Sequence, residues 1–214
     1  ELQKGQKCKL ADLTGSGQLR ISVTVSLPGS EADVTCFGVD GAGKLSDDRY
    51  FIFYNQTSSP EGAVSMHQSG ESTVFSVDLN RLPGFLQRLV VTVAAESGTM
   101  QTLEGELDRA AYVFTGAGYQ QEKALILCEV YRKDGIWRFS VVDSGFNGGL
   151  SALLSMLGLG GAEMASLVMG AILAVVAFFA IRFLLGAFLG RKTATVRGAP
   201  VEMPREPVRP AEPE

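Results

Sequence analysis

The sequence predicts an all-β fold, a two-sheet β-sandwich, followed by a C-terminal transmembrane helix and a disordered tail. Three observations lead to this division. Residues 1–148 consist of short strand-like segments separated by turn signals. Residues 164–190 carry a single charge, at Arg182, and residues 191–214 hold five of the eight prolines. The sequence therefore predicts one folded domain, one membrane segment and one unstructured end.

The front domain contains nine candidate strands. In the clearest, residues 19–25, odd positions are apolar and even positions polar, which is the period of a strand with one buried face. Such segments recur at regular spacing without a long helical pattern, which is typical of a sandwich. The candidates are residues 7–10, 19–27, 33–39, 50–54, 73–79, 89–95, 111–115, 124–132 and 137–142.

Turn residues separate these candidates. Asp134 and Gly135 stand between two apolar runs, and this pair favours a two-residue hairpin because both central positions of a type I′ turn need positive φ. Pro28-Gly29 and Pro83-Gly84 mark further connections. The region around His67 is polar and predicts a solvated loop.

The segment after the sandwich changes character. Residues 149–163 form a glycine-rich apolar hinge or short helix, and residues 164–190 are predicted to be the transmembrane helix. Residues 164–181 alone would cover about 27 Å as a helix, close to the thickness of the hydrocarbon core. A buried helix at an oligomer interface is the alternative. Glycines in this region, such as Gly186 and Gly190, would let helices pack closely and permit a homo-oligomer.

Two orientations fit the charges and cysteines. Arg182 follows the uncharged stretch 164–181, and Arg191, Lys192 and Arg197 follow residue 190, so the positive-inside rule favours a cytoplasmic tail and a front domain outside. The front domain has no apolar signal region, however, and its cysteines look unpaired, which favours a cytoplasmic sandwich. A hairpin whose first half is residues 150–162 would satisfy both arguments. The predicted location is the cell membrane, single-pass or hairpin, with the front domain in the cytoplasm.

Composition excludes several functions. A net charge of −4 gives no general case for nucleic-acid binding. Cys8, Cys36 and Cys128 are widely spaced and form no zinc motif. His67 is the only histidine, and no nucleophile elbow surrounds any serine, so we expect no enzyme.

Acidic residues near turns leave two interpretations open. Glu31 and Asp33 flank the start of one candidate strand, and Asp40, Asp47 and Asp48 lie in the next connection. Carboxylates on loops at the end of a sandwich are suitable calcium ligands. Aspartate is also common in turns because it bonds its own backbone.

Several strings of the front domain resemble the TerD-type domain of bacterial tellurium-resistance and stress proteins. Residues 2–7 resemble its opening, and residues 43–56, GKLSDDRYFIFYNQ, look like its most recognisable stretch. Further similar strings occupy residues 59–64, 77–83 and 129–150. The resemblance covers about residues 1–150.

This resemblance implies a two-sheet sandwich without catalytic activity and with calcium bound through acidic loops. Glu31 and Asp33 stand where the family has an acidic pair, and Asp47 stands at its serine-aspartate position, so these three are the candidate metal ligands. The family's preceding G-W-D string is replaced by 26–29, SLPG, and its acidic loop is reduced to 68–72, QSGES. Half of the site's charge is thus missing, which lowers calcium affinity.

The resemblance also implies partners at a membrane. We expect a membrane-tethered, non-catalytic scaffold or adaptor in a tellurite-resistance or general stress-response system. Its expected partners are the membrane, other TerD-like proteins or an integral membrane protein, and no nucleic acid. The alternative is a calcium-responsive module that binds lipid or protein.

Overall fold

The computed structural model describes residues 1–158, which all belong to one compact unit. Strands and one helix make up this part of the chain. They are β1 (Lys7–Lys9), β2 (Gln18–Ser26), β3 (Ala32–Val39), β4 (Phe51–Ile52), β5 (Val64–Ser69), β6 (Ser72–Asp78), β7 (Arg88–Ala95), β8 (Glu104–Leu107), β9 (Tyr112–Thr115), β10 (Ala124–Lys133), β11 (Ile136–Phe146) and α1 (Gly149–Met156).

The strands form two antiparallel sheets, so the predicted two-sheet sandwich is confirmed. The larger sheet has the order β1-β11-β10-β7-β3-β4, and the smaller has the order β5-β6-β2-β8-β9. The hairpin predicted at Asp134-Gly135 joins β10 to β11, and both residues have positive φ, 55° and 74°. The type I′ geometry explains why this turn was recognisable from two residues.

The core lies between the sheets and is apolar. β2 alternates as its sequence predicts, with Leu19, Ile21, Val23 and Val25 buried. β7 behaves differently, because it is buried on both faces from Leu89 to Ala94. One face packs on the smaller sheet, and α1 contacts β7, β10 and β11. The helix therefore forms a partial third layer.

Three elements differ from the sequence prediction. The polar region around His67 is not a loop but strand β5, and Glu104–Leu107 forms strand β8 where none was predicted. Within the predicted strand 50–54, only Phe51–Ile52 pairs with β3, and Asp48–Tyr50 is a 3-10 turn. The first two elements escaped prediction because they lie near the edges of their sheet and carry exposed polar side chains.

The sandwich continues past residue 148. Leu153, Leu154 and Leu157 of α1 and its C-terminus are buried in the core cluster. Residues 150–157 thus pack on the sandwich, and the membrane hairpin with residues 150–162 as its first half stays a prediction. In residues 1–158 no helix is long and apolar enough to cross a membrane. The predicted span 164–190 and tail 191–214 lie outside the described residues.

Candidate functional site

Glu31 and Asp33 lie at the start of β3. Asp33 is exposed and stands opposite Ala94 of β7, and the backbone N–H of Glu96 donates to the carbonyl of Glu31. Loss of solvent around the Asp33 carboxyl raises its pKa, and the charges of Glu96 and Glu31 raise it further. The larger sheet therefore has an acidic corner at this end of β3.

Asp47 lies at the other end of β3. β4 runs antiparallel to β3, with Phe51 opposite Phe37, so the chain before Phe51 extends beyond the Val39 end. The Asp47 carboxylate accepts hydrogen bonds from the backbone and guanidinium of Arg49, with Nη2 to Oδ2 at 2.7 Å. These bonds, with the guanidinium contact largest, lower the pKa of Asp47. The carboxylate starts the 3-10 turn and is held by a cation of its own chain.

The structure does not bring the three candidate metal ligands together. The strand from Asp33 to Val39 spans about 20 Å, whereas all the oxygens around a calcium ion lie within about 2.6 Å of it. In residues 1–158 no group of three or more histidine, cysteine, aspartate or glutamate side chains is placed to hold a metal. Glu31, Asp33 and Asp47 do not fit a single calcium site, and calcium binding stays a prediction.

A buried carboxylate that sequence reasoning missed connects the two sheets. Asp143 of β11 is 7% exposed and has φ of 48°, a left-handed conformation that is uncommon outside glycine. It accepts a hydrogen bond from the Tyr112 hydroxyl at 2.7 Å and one from the Tyr119 hydroxyl at 2.5 Å. Lys4 Nζ lies 3.7 Å from Oδ2. The cluster ties β9, the loop after it and the N-terminal turn to β11.

The tyrosines of this cluster act as hydrogen-bond donors. Burial raises the pKa of Tyr112 and of Tyr119, and the hydrogen bond to Asp143 raises both further, so the hydroxyls stay protonated. Lys4 belongs to the opening string that resembles the TerD-type domain, which was the one available signal for this cluster. No sequence pattern predicts the left-handed conformation of Asp143.

A second tyrosine–carboxylate contact closes the connection between β4 and β5. The Tyr50 hydroxyl donates to Glu61 at 2.8 Å, and the Ser59 hydroxyl donates to the same carboxylate at 3.1 Å. Burial and the Glu61 contact raise the pKa of Tyr50 to about 12. The guanidinium of Arg81 also donates to the Glu61 carbonyl. These contacts give a structural role to residues of the strings 43–56 and 59–64.

One open cavity of about 430 Å³ lies on the smaller sheet. In the cross-strand register, Arg20 of β2 stands opposite Ser76 of β6, which stands opposite Ser65 of β5. Asp78 and Arg81 line the same cavity. Its lining mixes polar side chains with Leu19, Ala63 and Val77 and carries no aromatic ring.

Comparisons with known proteins agree with the fold. The family model described as TerD domain matches residues 1–156. The crystal structure of the unknown-function protein SAV2460 is similar with a TM-score of 0.52 and 18% identity, covering 68% of this chain and 100% of that chain. At this identity the similarity concerns the fold alone.

Several relatives carry functional names. Tellurium resistance protein TerA of Alcaligenes sp is 33% identical over 128 residues, which are 52% of this chain and 35% of that protein. General stress protein 16U of Bacillus subtilis (strain 168) is 28% identical over 189 residues, 74% of this chain and 96% of that protein. The matched region is thus about a third of the first relative and nearly all of the second.

Proposed function

The chain belongs to the TerD domain family, and from this premise we propose that it is a membrane-tethered, non-catalytic scaffold in a bacterial stress-response or tellurite-resistance system. Relatives named for tellurium resistance and for general stress support a role in stress resistance. Tethering and scaffolding go beyond those names and rest on the arrangement of this chain.

The order of parts along the chain is the observation that carries the proposal. Leu157 is 3% exposed and belongs to the core cluster of the sandwich. Seven residues later in sequence begins the stretch 164–181, 18 residues without a charge. A helix of that length and composition matches the hydrocarbon core of a bilayer. The sandwich would thus be held close to the membrane by a short connection.

The smaller sheet supplies a surface for partners. α1 covers part of the larger sheet, whereas in the described part of the chain β2 and β6 expose Gln18, Arg20 and Ser76 on one face of the smaller sheet. Such a face offers a polar surface for a second protein, with soluble members of the same family or an integral membrane protein as proposed partners. Glycines in the apolar segment, such as Gly186 and Gly190, would let helices of two chains pack closely and so permit self-association.

A reducing compartment for the sandwich is part of the proposal. Cys8, Cys36 and Cys128 are all free, and burial raises the pKa of Cys36 to about 12. Free, protonated cysteines in the core support placement of the sandwich in the cytoplasm.

Membrane extraction of the full chain tests the tether. The wild type should stay with bacterial membranes after washing with alkaline carbonate. Leu173→Arg with Val176→Arg should release it, because each arginine at the centre of a span costs about 3 kcal/mol on insertion scales. Ala194→Arg with Val201→Arg, in the predicted tail, is the matched control and should stay bound. Release of the wild type into the soluble fraction would contradict the proposal.

A further inference from the structure

We propose that the sandwich docks on an anionic lipid surface through the end that carries the β10–β11 turn. The inference rests on the proposed function, because it orients a sandwich that is already tethered. The basic hairpin surface is defined here by five cations and two apolar side chains: Lys7, Lys9, Arg132, Lys133, Arg138, Ile136 and Trp137.

Strand register places four of these five cations on one face, whereas Arg132 and Trp137, which stand opposite each other, lie on the other face of the same end. Lys9 of β1 stands opposite Arg138 of β11, and Lys133 of β10 stands opposite Ile136 of β11. Residues two apart on a strand share a face, so Lys7, Lys9 and Arg138 lie on one face with Ile136 and Lys133. The arrangement is local, because the whole chain has a net charge of −4.

The cations of this surface are not neutralised within the sandwich. The ion pairs of residues 1–158 are Lys4–Asp143, Arg49–Asp47 and Arg88–Glu129, and none of them uses the basic hairpin surface. The Nε–H groups of Arg132 and Arg138 are buried without a hydrogen-bond acceptor. Asp134, in the turn, is the one acidic residue between Lys133 and Arg138. The charge of Asp12 also reaches β1, where it raises the pKa of Cys8 after burial does, so positive charges outnumber acidic groups at this end without being unopposed.

Apolar side chains accompany the charges. Ile136 is 43% exposed at the turn, and Trp137 is half-buried beneath the guanidinium of Arg132, whose Cζ lies 4.8 Å from the ring centroid. Phe85 is also exposed near this end, since the loop that contains it leads to Gln87, whose carbonyl accepts from Arg132 N–H. Exposed aliphatic and aromatic groups beside lysines and arginines are typical of surfaces that bind the lipid headgroup region.

The described chain ends at the same end of the larger sheet. One register row runs across the larger sheet from Val39 through Arg88, Tyr131 and Arg138 to Lys9. The turn that follows Val39 holds the end of α1. Leu45 N–H donates to the Leu157 carbonyl at 2.8 Å, and Lys44 Nζ donates to the Met156 carbonyl at 3.0 Å.

Six residues separate this point from the apolar stretch that begins at residue 164. Extended, they reach at most about 20 Å. The chain therefore leaves the described sandwich at the end that carries the β10–β11 turn.

The opposite end of the larger sheet is negatively charged. Glu31, Asp33 and Glu96 lie there, close enough for their charges to raise the pKa of Asp33. At the end with the β10–β11 turn, Asp40 and Asp47 lie beside β3 and β4, at the edge of the sheet opposite β1. Asp40 binds the backbone N–H groups of Ala42 and Lys44, and Asp47 binds Arg49. An anionic surface would thus attract the β1–β11–β10 side and repel the acidic corner.

The only tryptophan of the chain reports on this surface directly. Trp137 is the single tryptophan among the 214 residues. The full chain would be reconstituted in vesicles of phosphatidylcholine alone or with 30% phosphatidylglycerol as a stated probe composition, each with a headgroup-labelled quencher. We expect Trp137 fluorescence to be quenched in the anionic vesicles and much less in the neutral ones. High salt should remove the difference, because it screens exposed charges.

Charge reversal supplies matched variants. Lys9→Glu with Lys133→Glu should weaken the docking equilibrium by roughly 30-fold, since each basic residue near an anionic membrane contributes about 1 kcal/mol. Arg20→Glu with Lys123→Glu makes the same change in net charge away from the basic hairpin surface, and its quenching should equal that of wild type. All four side chains are exposed, so melting curves should show that both variants fold.

Two results separate this inference from the tether. If the chain floats with neutral vesicles but Trp137 is quenched equally in neutral and anionic vesicles, the tether stands and the docking surface is overturned. If the chain fails to float with neutral vesicles yet binds anionic ones with salt-sensitive quenching, docking stands and the tether is overturned. Equal loss of quenching in both double variants would also overturn the assignment to the β10–β11 end.

Discussion

Lys9 lies directly opposite Arg138 in the antiparallel pair of β1 and β11, and neither side chain pairs with a carboxylate of residues 1–158. Side chains in such positions have Cβ atoms about 5 Å apart, so the two positive charges repel each other. Like charges in this register lower the stability of a sheet. We interpret this unrelieved pair as part of the basic hairpin surface.

Lys9→Glu should therefore stabilise the sandwich while weakening its contact with anionic lipid. An acid opposite Arg138 replaces repulsion by attraction, which contributes up to about 1 kcal/mol in cross-strand pairs. Thermal melting in low salt checks the stability, and Trp137 quenching checks the lipid contact. Lys9→Gln is the control and should show a smaller gain. A variant that is less stable and binds anionic vesicles as well as wild type would contradict the interpretation.

Asp143→Ala should be strongly destabilising, by about 2–4 kcal/mol, because the buried Tyr119 hydroxyl and the partly buried Tyr112 hydroxyl lose their acceptor. Alanine is also disfavoured at a φ of 48°. Asp143→Asn should cost less, since asparagine tolerates this conformation and keeps one acceptor oxygen. Urea unfolding of the three proteins measures the difference. Equal stability of the alanine and asparagine variants would show that the cluster does not hold the sheets together.

Asp33→Asn should increase stability at neutral pH. The pKa of Asp33 is raised, so its protonated form is favoured in the folded state. The associated stability is complete below the unfolded pKa of about 3.9 and is lost as pH rises through the raised folded pKa. Asparagine does not ionise, so the variant keeps this stability at neutral pH. Its melting temperature should be higher than that of wild type at pH 7 and equal to it at pH 3.5. The gain is small because the side chain is exposed. A lower melting temperature at pH 7 would contradict the assigned electrostatics.

Asp47→Asn should have little effect on stability, whereas Asp47→Ala should cost about 1 kcal/mol, the usual contribution of a helix cap. Asparagine keeps the acceptor for the Arg49 N–H and loses only an exposed ion pair. The lowered pKa of Asp47 stabilises the fold above the unfolded pKa, and this contribution is lost as pH falls through the folded pKa. Melting from pH 7 to pH 3 should bring the asparagine variant and wild type together at the acid end.

The response to calcium should distinguish the carboxylates at the two ends of β3. If calcium raises the melting temperature of the protein, Asp33→Asn should reduce that rise and Asp47→Asn should leave it unchanged, because Asp47 is bound to Arg49 at the far end of the strand. Melting with and without millimolar calcium checks this. Loss of the calcium response in both variants would show that the two carboxylates share an ion, contrary to their placement.

Much of the fold follows from local sequence patterns. The alternation of β2 and the Asp134-Gly135 turn identify their elements because the responsible interactions lie within a few residues. β5 and β8 do not stand out, since their exposed side chains are polar and few apolar residues mark the buried face. Their pairing with β6 and β2 supplies the stabilisation, and such pairing is not written in a short segment.

The three candidate metal ligands lie apart for a geometric reason. Glu31, Asp33 and Asp47 are separated by few residues, but a strand lies between them and carries Asp47 to the other end of the sheet. The antiparallel pairing of β3 with β4 determines the position of Asp47, so a correct prediction of that pairing would have placed it. Asp143 is a different case, because its role depends on tyrosines from β9 and the following loop, which only the tertiary structure brings together.

Flotation of the full chain after reconstitution with vesicles of pure phosphatidylcholine, in high salt, tests the membrane tether most directly. These conditions remove electrostatic attraction to the surface, so only the apolar stretch can hold the protein. The account predicts that the wild type floats with the vesicles and that Leu173→Arg with Val176→Arg stays at the bottom of the gradient. A wild type that stays at the bottom would show that the apolar stretch does not tether the protein to a membrane.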